Sequence, residues 1–262
     1  MNESSKLAAS RPLQAAMVDL LVQELEGYLE LVDESILQWT HNYWLGHMQH
    51  YRDVIARVGR IVDMDDVRYV LDVGAVPGHV SLMLKYVGLD VSAVDIAPER
   101  ASRLLETMKI PAYKVDLDME PLPFADDSYD LVLFCEILEH LRVQPVSTLQ
   151  QVYRVLRPGG HLLLSVPNIT PLMRWRFLLG EDFQGDLIAE FEKIETIGHM
   201  GHFRLYSQRE VERILAHIGY HIVQIDRGGK EVPDKRWDAR LLRKLVPHLM
   251  RNQLYVWARK PK

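Results

Sequence analysis

The sequence predicts an α/β fold built on a doubly wound, mostly parallel sheet. From residue 67 onward, short apolar runs alternate with helical stretches: VRYVLDVG precedes HVSLMLKYV, and LDVSAVDIA precedes PERASRLLETM. Strands that alternate with helices across short connections form βαβ units with right-handed crossovers. The chain has 262 residues, of which 48% are hydrophobic, which is enough for one full core with additions.

Five further apolar runs complete a predicted seven-stranded sheet. They are AYKVDLD, YDLVLFCE, HLLLSVPN, YHIVQID and NQLYVWARK. Helix VSTLQQVYRVL stands between the fourth and fifth strands, and helix SQREVERILAHIG precedes the sixth. Between the first of these helices and strand five, Arg157-Pro158-Gly159-Gly160 predicts a structural turn.

The regular alternation has additions at both ends and one insertion. Helical periodicity over 12–62 predicts two or three helices, so we divide the chain into an N-terminal helical extension, 1–66, and a main domain, 67–262. Aromatic and histidine residues at 39–51 form either a packing face or part of a lid over a pocket. Residues 169–205 interrupt the strand–helix rhythm as a lid insertion or a small satellite core; the apolar side chains there are Trp175, Phe177, Leu178, Leu179 and Phe183.

Composition restricts the possible partners and compartments. No apolar run reaches the roughly 18 residues that a membrane span needs, and the N-terminus lacks an apolar secretory segment. Cys135 is the only cysteine, which fits a reducing, cytoplasmic compartment. The formal net charge of −5 argues against a nucleic-acid partner.

Positive charge is concentrated towards the C-terminus. Residues 227–262 hold 11 basic and 3 acidic side chains, and the segment 228–251 has a basic amphipathic pattern. The pattern over 235–251 has two interpretations that fit equally well: a helix that makes peripheral membrane contact, or a helix packed on the sheet.

A glycine-rich turn follows the first predicted strand. Gly74 and Gly78 flank Val76 and Pro77 in DVGAVPGH, so neither a GxGxxG fingerprint nor a GxxxxGK[ST] phosphate loop is present. Asp95 ends the second strand 21 residues after Gly74. A carboxylate at this place can accept hydrogen bonds from both hydroxyls of a ribose, whereas the alternative is a turn or cap residue before Pro98.

Taken together, LDVGAVPGH, VDIAPER, DLDMEPLPFADDSYDLVLFCEILEHL and VYRVLRPGGHLLLSVPN resemble the class I S-adenosylmethionine (SAM)-dependent methyltransferases over about 67–226. The resemblance implies SAM as the cofactor. It places the methionine part beside Gly74, Ala75 and Gly78 and the ribose at Asp95. Asp116 or Asp118 would meet the adenine amino group, Leu117 the ring, and Cys135 and Glu136 the sulfonium. Asp72, Val76 and Ile96 complete the expected cofactor-binding set, although relatives often have a second glycine where Val76 stands.

The segment Glu136-Ile-Leu-Glu139-His140 carries the second group of candidate functional residues. In a helical turn, positions i, i+3 and i+4 share a face, and two carboxylates with an imidazole suit a divalent metal ion. This ExxEH pattern resembles the ubiquinone-pathway O-methyltransferases and the small-RNA 2′-O-methyltransferases, in which a further histidine follows strand five. His202 is the better counterpart here and His199 the weaker one. The alternatives are His140 or His202 as a metal-free catalytic base, or no catalytic role.

These observations favour a SAM-dependent O-methyltransferase of a small or lipid-like metabolite. The alternatives are N- or C-methylation of a metabolite, 2′-O-methylation of RNA, and a SAM-binding protein without turnover. The acidic balance argues against the RNA substrate.

Overall fold

The computed structural model describes residues 26–180, 188, 191–192, 201–231, 241, 244–246 and 251–262. Its helices are α1 Glu34–Met64, α2 His79–Tyr86, α3 Ser102–Thr107, α4 Pro145–Val155, α5 Pro171–Leu178 and α6 Gln208–Ile218. Its strands are β1 Tyr69–Val73, β2 Asp90–Asp95, β3 Ala112–Lys114, β4 Tyr129–Cys135, β5 Leu156–Pro167, β6 His221–Glu231 and β7 Arg251–Arg259. Short 3₁₀ turns cover Glu26–Leu31, Pro98–Ala101 and Leu138–His140.

The seven strands form one sheet in the order β3-β2-β1-β4-β5-β7-β6. Strand β1 pairs in parallel with both β2 and β4, and β5 pairs in parallel with β4. Only β7 runs against its neighbours, because it lies antiparallel between β5 and β6. The prediction of a doubly wound, mostly parallel sheet is therefore confirmed, and the strand order reverses beside β1, where ligands of such sheets bind.

Both faces of the sheet are covered by apolar cores, which explains why the central strands are almost continuously hydrophobic. Helix α1 contributes directly to the core on one face: Trp44, Val54 and Ile61 share it with Leu131 of β4 and Tyr255 of β7. The opposite face packs β4 and β5 against α4 and α6. The N-terminal helix is thus part of the main core, so that its side chains can reach the ends of the strands.

Two local features differ from the sequence predictions. The part of 12–62 that the structure describes contains one 31-residue helix and a short 3₁₀ turn rather than two or three helices. Arg157–Gly160 belongs to the start of β5, with Gly159 in the left-handed region and a register shift opposite Tyr129/Leu131, so it is an irregular strand start.

Two further predictions lie outside the described residues. They are most of the basic segment 228–251 and the larger part of the 169–205 insertion beyond Gly180, including Phe183.

No helix within the described ranges is both long enough and apolar enough to cross a membrane.

Candidate functional site

The glycine turn between β1 and α2 is held tightly against the neighbouring strand. The amides of Gly74 and Ala75 donate to the carbonyl of Val94, at 2.8 and 3.1 Å. Gly74 and Gly78 have φ values of 74° and 95°, which favour glycine. A Cβ on Gly74 would overlap Cδ1 of Ile137, and one on Gly78 would lie 2.7 Å from Cδ2 of Leu104. Glycine at both positions therefore allows close packing of this turn, and Ile137 brings the segment after β4 directly against it.

Asp95, at the end of β2, joins the two turns on this side of the sheet. Its Oδ2 accepts a hydrogen bond from the amide of Val76 and its Oδ1 one from the amide of Ala97, both at 2.9 Å. A carboxylate oxygen can accept more than one hydrogen bond, so these two contacts do not exclude a ligand hydroxyl. The predicted ribose contact and the predicted turn role are therefore compatible in one side chain.

The carboxylate of Asp72 lies below the glycine turn, within the sheet. Its Oδ2 accepts from the hydroxyl of Ser81 at 2.6 Å. Burial raises the pKa of Asp72 to about 7, against the opposing effect of the Ser81 hydroxyl. Asp72 thus links β1 to α2 through Ser81.

The two candidate adenine carboxylates differ in what already occupies them. Asp118 is buried and accepts from the amides of Arg142, Val143 and Gln144, at 2.9 to 3.3 Å. Burial opposes ionisation of Asp118, but these amide donors outweigh it and hold its pKa below the usual range. Asp116 accepts from the amide of Asp118 at 3.0 Å and is only half-buried. Asp118 therefore caps the loop before α4, and Asp116 is the more available of the two.

Glu136 is separated from the rest of the ExxEH segment by its backbone. Its φ is 57°, and the 3₁₀ turn begins only at Leu138, so Glu136 does not share a helical face with Glu139 and His140. Its Oε1 accepts from Ser165 Oγ at 2.8 Å and its Oε2 from Gln253 Nε2 at 2.9 Å. Burial raises its pKa to about 7. Of the four side chains predicted to share one ion, Glu136 is thus held by other protein partners.

Cys135 precedes Glu136 at the end of β4. Its Sγ contacts the carbonyl of Leu163 at 3.7 Å. Burial raises the pKa of the thiol well above its usual range, which makes it a poor nucleophile.

Glu139 is fully buried, and neither of its carboxylate oxygens has a hydrogen-bond partner among the described residues. Its backbone carbonyl accepts from the amides of Phe203 and Arg204, at 2.8 and 3.3 Å, so the segment after the insertion is tied to this turn. Burial, followed by the charge of Glu136, raises the pKa of Glu139 well above its usual range. A buried carboxylate without donors is costly, and such groups typically pair with a cation or a proton.

Two histidines complete a cluster with Glu139. Ligand atoms of Glu139, His140 and His202 all lie within 4.8 Å of one another, and the two imidazole centroids are 4.9 Å apart. Nδ1 of His140 is 3.1 Å from the carbonyl of Gly201, to which it donates as N–H. This contact leaves Nε2 of His140 as the nitrogen with a lone pair, as in histidines that bind metals. His199 lies outside the described residues.

Helix α1 contributes polar side chains that the sequence did not single out. Tyr43 is half-buried, and its pKa is raised by desolvation and then by the charges of Glu136 and Glu139. On the same helix, Thr40 Oγ1 and Trp44 Nε1 are buried without partners among the described residues, and so is His79 Nε2 at the start of α2. The available signal was the i, i+4 spacing of Thr40 and Trp44 on one helix face, together with the position of His79 directly after Gly78.

Helix α5, the described start of the 169–205 insertion, exposes its apolar side chains. Thr170 caps its first turn by accepting from the amide of Met173. Leu172 is buried, whereas Trp175, Phe177 and Leu178 are 46, 59 and 77% exposed. In the described part of the insertion, therefore, these side chains do not form a satellite core.

The methyltransferase-domain family model matches residues 42–225, from within α1 to β6. Among curated proteins, the ubiquinone biosynthesis O-methyltransferase of Xanthomonas oryzae pv. oryzae is 33% identical over 123 residues, which are 45% of this chain and 51% of that protein. The chain thus spans about half the length of the curated relatives that it matches.

Solved structures share the fold at low sequence identity. A SAM-dependent methyltransferase from Archaeoglobus fulgidus superposes with a TM-score of 0.57 at 18% identity, covering 84% of this chain and 99% of that chain. A SAM-dependent methyltransferase from Thermotoga maritima, described as a possible histamine N-methyltransferase, gives 0.58 at 15%, covering 86% and 96%. At these identities the similarity concerns the fold alone.

Proposed function

Because this chain belongs to the class I SAM-dependent methyltransferases, we propose that it transfers a methyl group from SAM to a hydroxyl oxygen of a small or lipid-like metabolite. The single observation that carries the choice of oxygen is the cluster of Glu139, His140 and His202, which lies beside the glycine turn through Ile137. The curated relatives of matching sequence are named as O-methyltransferases, which supports the same choice.

The cofactor fits the side of the site formed by β1 and β2. The glycine turn offers close approach to backbone at Gly74 and Gly78, and Asp95 keeps acceptor capacity for the ribose hydroxyls. Leu117 would pack on the adenine ring, and Asp116 would accept a hydrogen bond from the adenine amino group. Bound SAM supplies a methyl group already activated by a sulfonium, so the protein contributes mainly by holding the acceptor in line with it.

A divalent ion fits the donor set on the other side. Glu139 offers a carboxylate without a donor in the described part of the chain, His140 presents Nε2, and His202 adds a second imidazole. Oxygen and nitrogen ligands without thiolate suit Mn²⁺, Co²⁺ or Zn²⁺. When bound, such an ion supplies a Lewis acid that lowers the pKa of a hydroxyl. Glu136 stays outside this set, since Ser165 and Gln253 already hold it.

The apolar part of the acceptor would be covered by the 169–205 insertion. The exposed Trp175, Phe177 and Leu178 of α5 provide apolar surface for it. The basic segment 235–251 remains a proposed contact with an anionic membrane surface for a cytoplasmic protein that acts on a lipid-like acceptor.

The proposal is tested with methyl-labelled SAM and a matched pair of acceptors, an alkylated catechol and the corresponding alkylated aniline. We expect label in the catechol ether and not in the aniline. Treatment with a chelator should abolish turnover, Mn²⁺ or Zn²⁺ should restore it, and the affinity for S-adenosylhomocysteine should not change.

Label on the aniline alone would refute oxygen as the acceptor atom. Turnover that survives complete removal of metal would refute the ion and leave His140 or His202 as the general base.

A further inference from the structure

Residues 201–206, here called the return segment, end the insertion and lead into helix α6. The backbone of the return segment is docked on the 3₁₀ turn Leu138–His140. The amides of Phe203 and Arg204 donate to the carbonyl of Glu139, at 2.8 and 3.3 Å. These hydrogen bonds join two parts of the chain that are distant in sequence, and they use backbone groups on both sides.

Further contacts hold both ends of the return segment. At its start, the carbonyl of Gly201 is 3.1 Å from Nδ1 of His140, 61 residues earlier in the chain. At its end, Tyr206 is buried, and Ser207 and Glu210 form the capping box that begins α6. The return segment is therefore anchored to α6 on one side and to the turn Leu138–His140 on the other.

This docking leaves one charged group in an unfavourable state. The carboxylate of Glu139 is fully buried and accepts no hydrogen bond within the described ranges, although the carbonyl of the same residue accepts two. An ionised carboxylate is costly to bury without a donor or a cation. Because the return segment contacts Glu139 directly, its release would bring water to this carboxylate. The backbone hydrogen bonds thus favour docking, whereas the charge of Glu139 opposes it.

The three candidate metal ligands come from both partners of this contact. Glu139 and His140 lie in the turn, His202 lies in the return segment, and their ligand atoms are within 4.8 Å of one another. Ligand atoms at about 2.0–2.3 Å from one ion are roughly 3–4.5 Å apart, so small side-chain movements would bring these three onto an ion. An ion held by all three would neutralise the buried carboxylate and connect the two segments.

We propose that metal binding cross-links the return segment to the turn Leu138–His140, so that metal loading controls whether the acceptor side of the site, 136–140 and 201–204, is assembled. This inference rests on the proposed function, because it takes the ion from there. It concerns the conformation of the chain, whereas the proposed function concerns the chemistry of transfer. His202 is the residue through which the ion acts on the return segment.

The test is hydrogen exchange at the backbone amides of Phe203 and Arg204, with Mn²⁺ as the probe and calorimetry to establish that Mn²⁺ is bound. Saturating Mn²⁺ should slow exchange at both amides at least tenfold, because the ion binds the docked form and shifts the local opening equilibrium. The amides of the edge strand β3, Ala112–Lys114, serve as an internal control and should not change.

Two histidine variants separate the cross-link from metal binding elsewhere. His202→Ala removes the ligand on the return segment and keeps the amides of Phe203 and Arg204. In this variant, saturating Mn²⁺ should slow the two amides less than twofold. The matched control is His217→Ala, which removes an exposed histidine from the last turn of α6 and should keep the full tenfold response.

Glu139→Gln should act in the opposite direction in the metal-free protein. The variant keeps the backbone carbonyl that binds the return segment and removes the charge that opposes docking. The amides of Phe203 and Arg204 should therefore exchange about threefold more slowly than in the metal-free unmodified protein, and Mn²⁺ should slow them no further.

Mn²⁺ that binds the unmodified protein without slowing the two amides would overturn the cross-link and leave the proposed function in place. Equal slowing in His202→Ala and in the unmodified protein would overturn the cross-link as well, and so would faster exchange in metal-free Glu139→Gln. If Mn²⁺ does not bind the unmodified protein, the ion of the proposed function fails together with the cross-link, so the two failures are distinguishable.

Discussion

The two sides of the site are built in different ways. On the cofactor side, residues 72–78 and 95–97, the carboxylate of Asp95 is held by amides of residues close in the chain or on the adjacent turn. On the acceptor side, residues 136–140 and 201–204, Glu139 and His140 meet a segment more than 60 residues later in the chain, and Glu139 has no donor among the described residues. Within the described ranges, the carboxylate of Asp95 is thus held by backbone donors, whereas the carboxylate of Glu139 has no donor.

The largest expected difference between the two sides concerns turnover in the variant Glu139→Gln. Turnover should fall by about 100-fold or more, because the variant removes the charge that serves the acceptor side. The same variant should raise the free energy of unfolding of the ligand-free protein by about 1–2 kcal/mol, since an ionisable group without donors leaves the interior. Steady-state kinetics and denaturant unfolding measure the two quantities.

The matched control is Glu136→Gln. The two oxygens of Glu136 accept from Ser165 and Gln253, so this variant should lose about 1 kcal/mol of stability instead of gaining it. Equal changes in the free energy of unfolding of the two variants would show that the two glutamates do not differ as described. Full turnover in Glu139→Gln would show that Glu139 takes no part in the chemistry.

A second variant addresses the cofactor side. Asp95→Ala should weaken S-adenosylhomocysteine by about 1.5–3 kcal/mol, the cost of losing charge-assisted hydrogen bonds. Asp90→Ala, at the other end of β2, removes a surface carboxylate paired with Arg68 and Lys85 and should leave the affinity unchanged. Calorimetry on both folded proteins measures the two affinities. Native affinity in Asp95→Ala would show that the carboxylate of Asp95 serves only the turns.

The smallest expected effect separates Asp116 from Asp118. Asp118→Asn should lower the free energy of unfolding by about 1 kcal/mol, as for a lost helix cap, and keep the affinity for S-adenosylhomocysteine. Asp116→Ala should keep the free energy of unfolding and weaken the binding of S-adenosylhomocysteine by about 1 kcal/mol through the adenine contact. The opposite pattern in melting and calorimetry experiments would transfer the adenine contact to Asp118.

The sequence was most informative where function depends on neighbours in the chain. The run DVGAVPGH predicted a close turn, and the structure has glycines at positive φ there with Asp95 beneath it. The spacing of Glu139 and His140 was also sufficient to bring them together, and His202 meets them as the resemblance implied.

Two features depended on information that residue spacing does not contain. Glu136 does not share a helical face with Glu139 and His140, because its own φ is 57°. The pattern ExxEH is the same with or without this backbone conformation. Thr40 and Trp44 looked like ordinary helix-packing residues, because only the tertiary contact with His79 shows which polar atoms remain without partners.

Because β7 is the last strand in the chain, its contacts with the site form only after the other strands have been synthesised. This strand enters antiparallel between β5 and β6, both of which are synthesised earlier, and it brings Gln253 to the carboxylate of Glu136. Until β7 emerges from the ribosome, β5 presents an unpaired edge, which is a template for pairing with other chains. The carboxylate of Glu136 therefore gains its Gln253 donor only after the last strand is available, at the same time as the edge of β5 becomes covered.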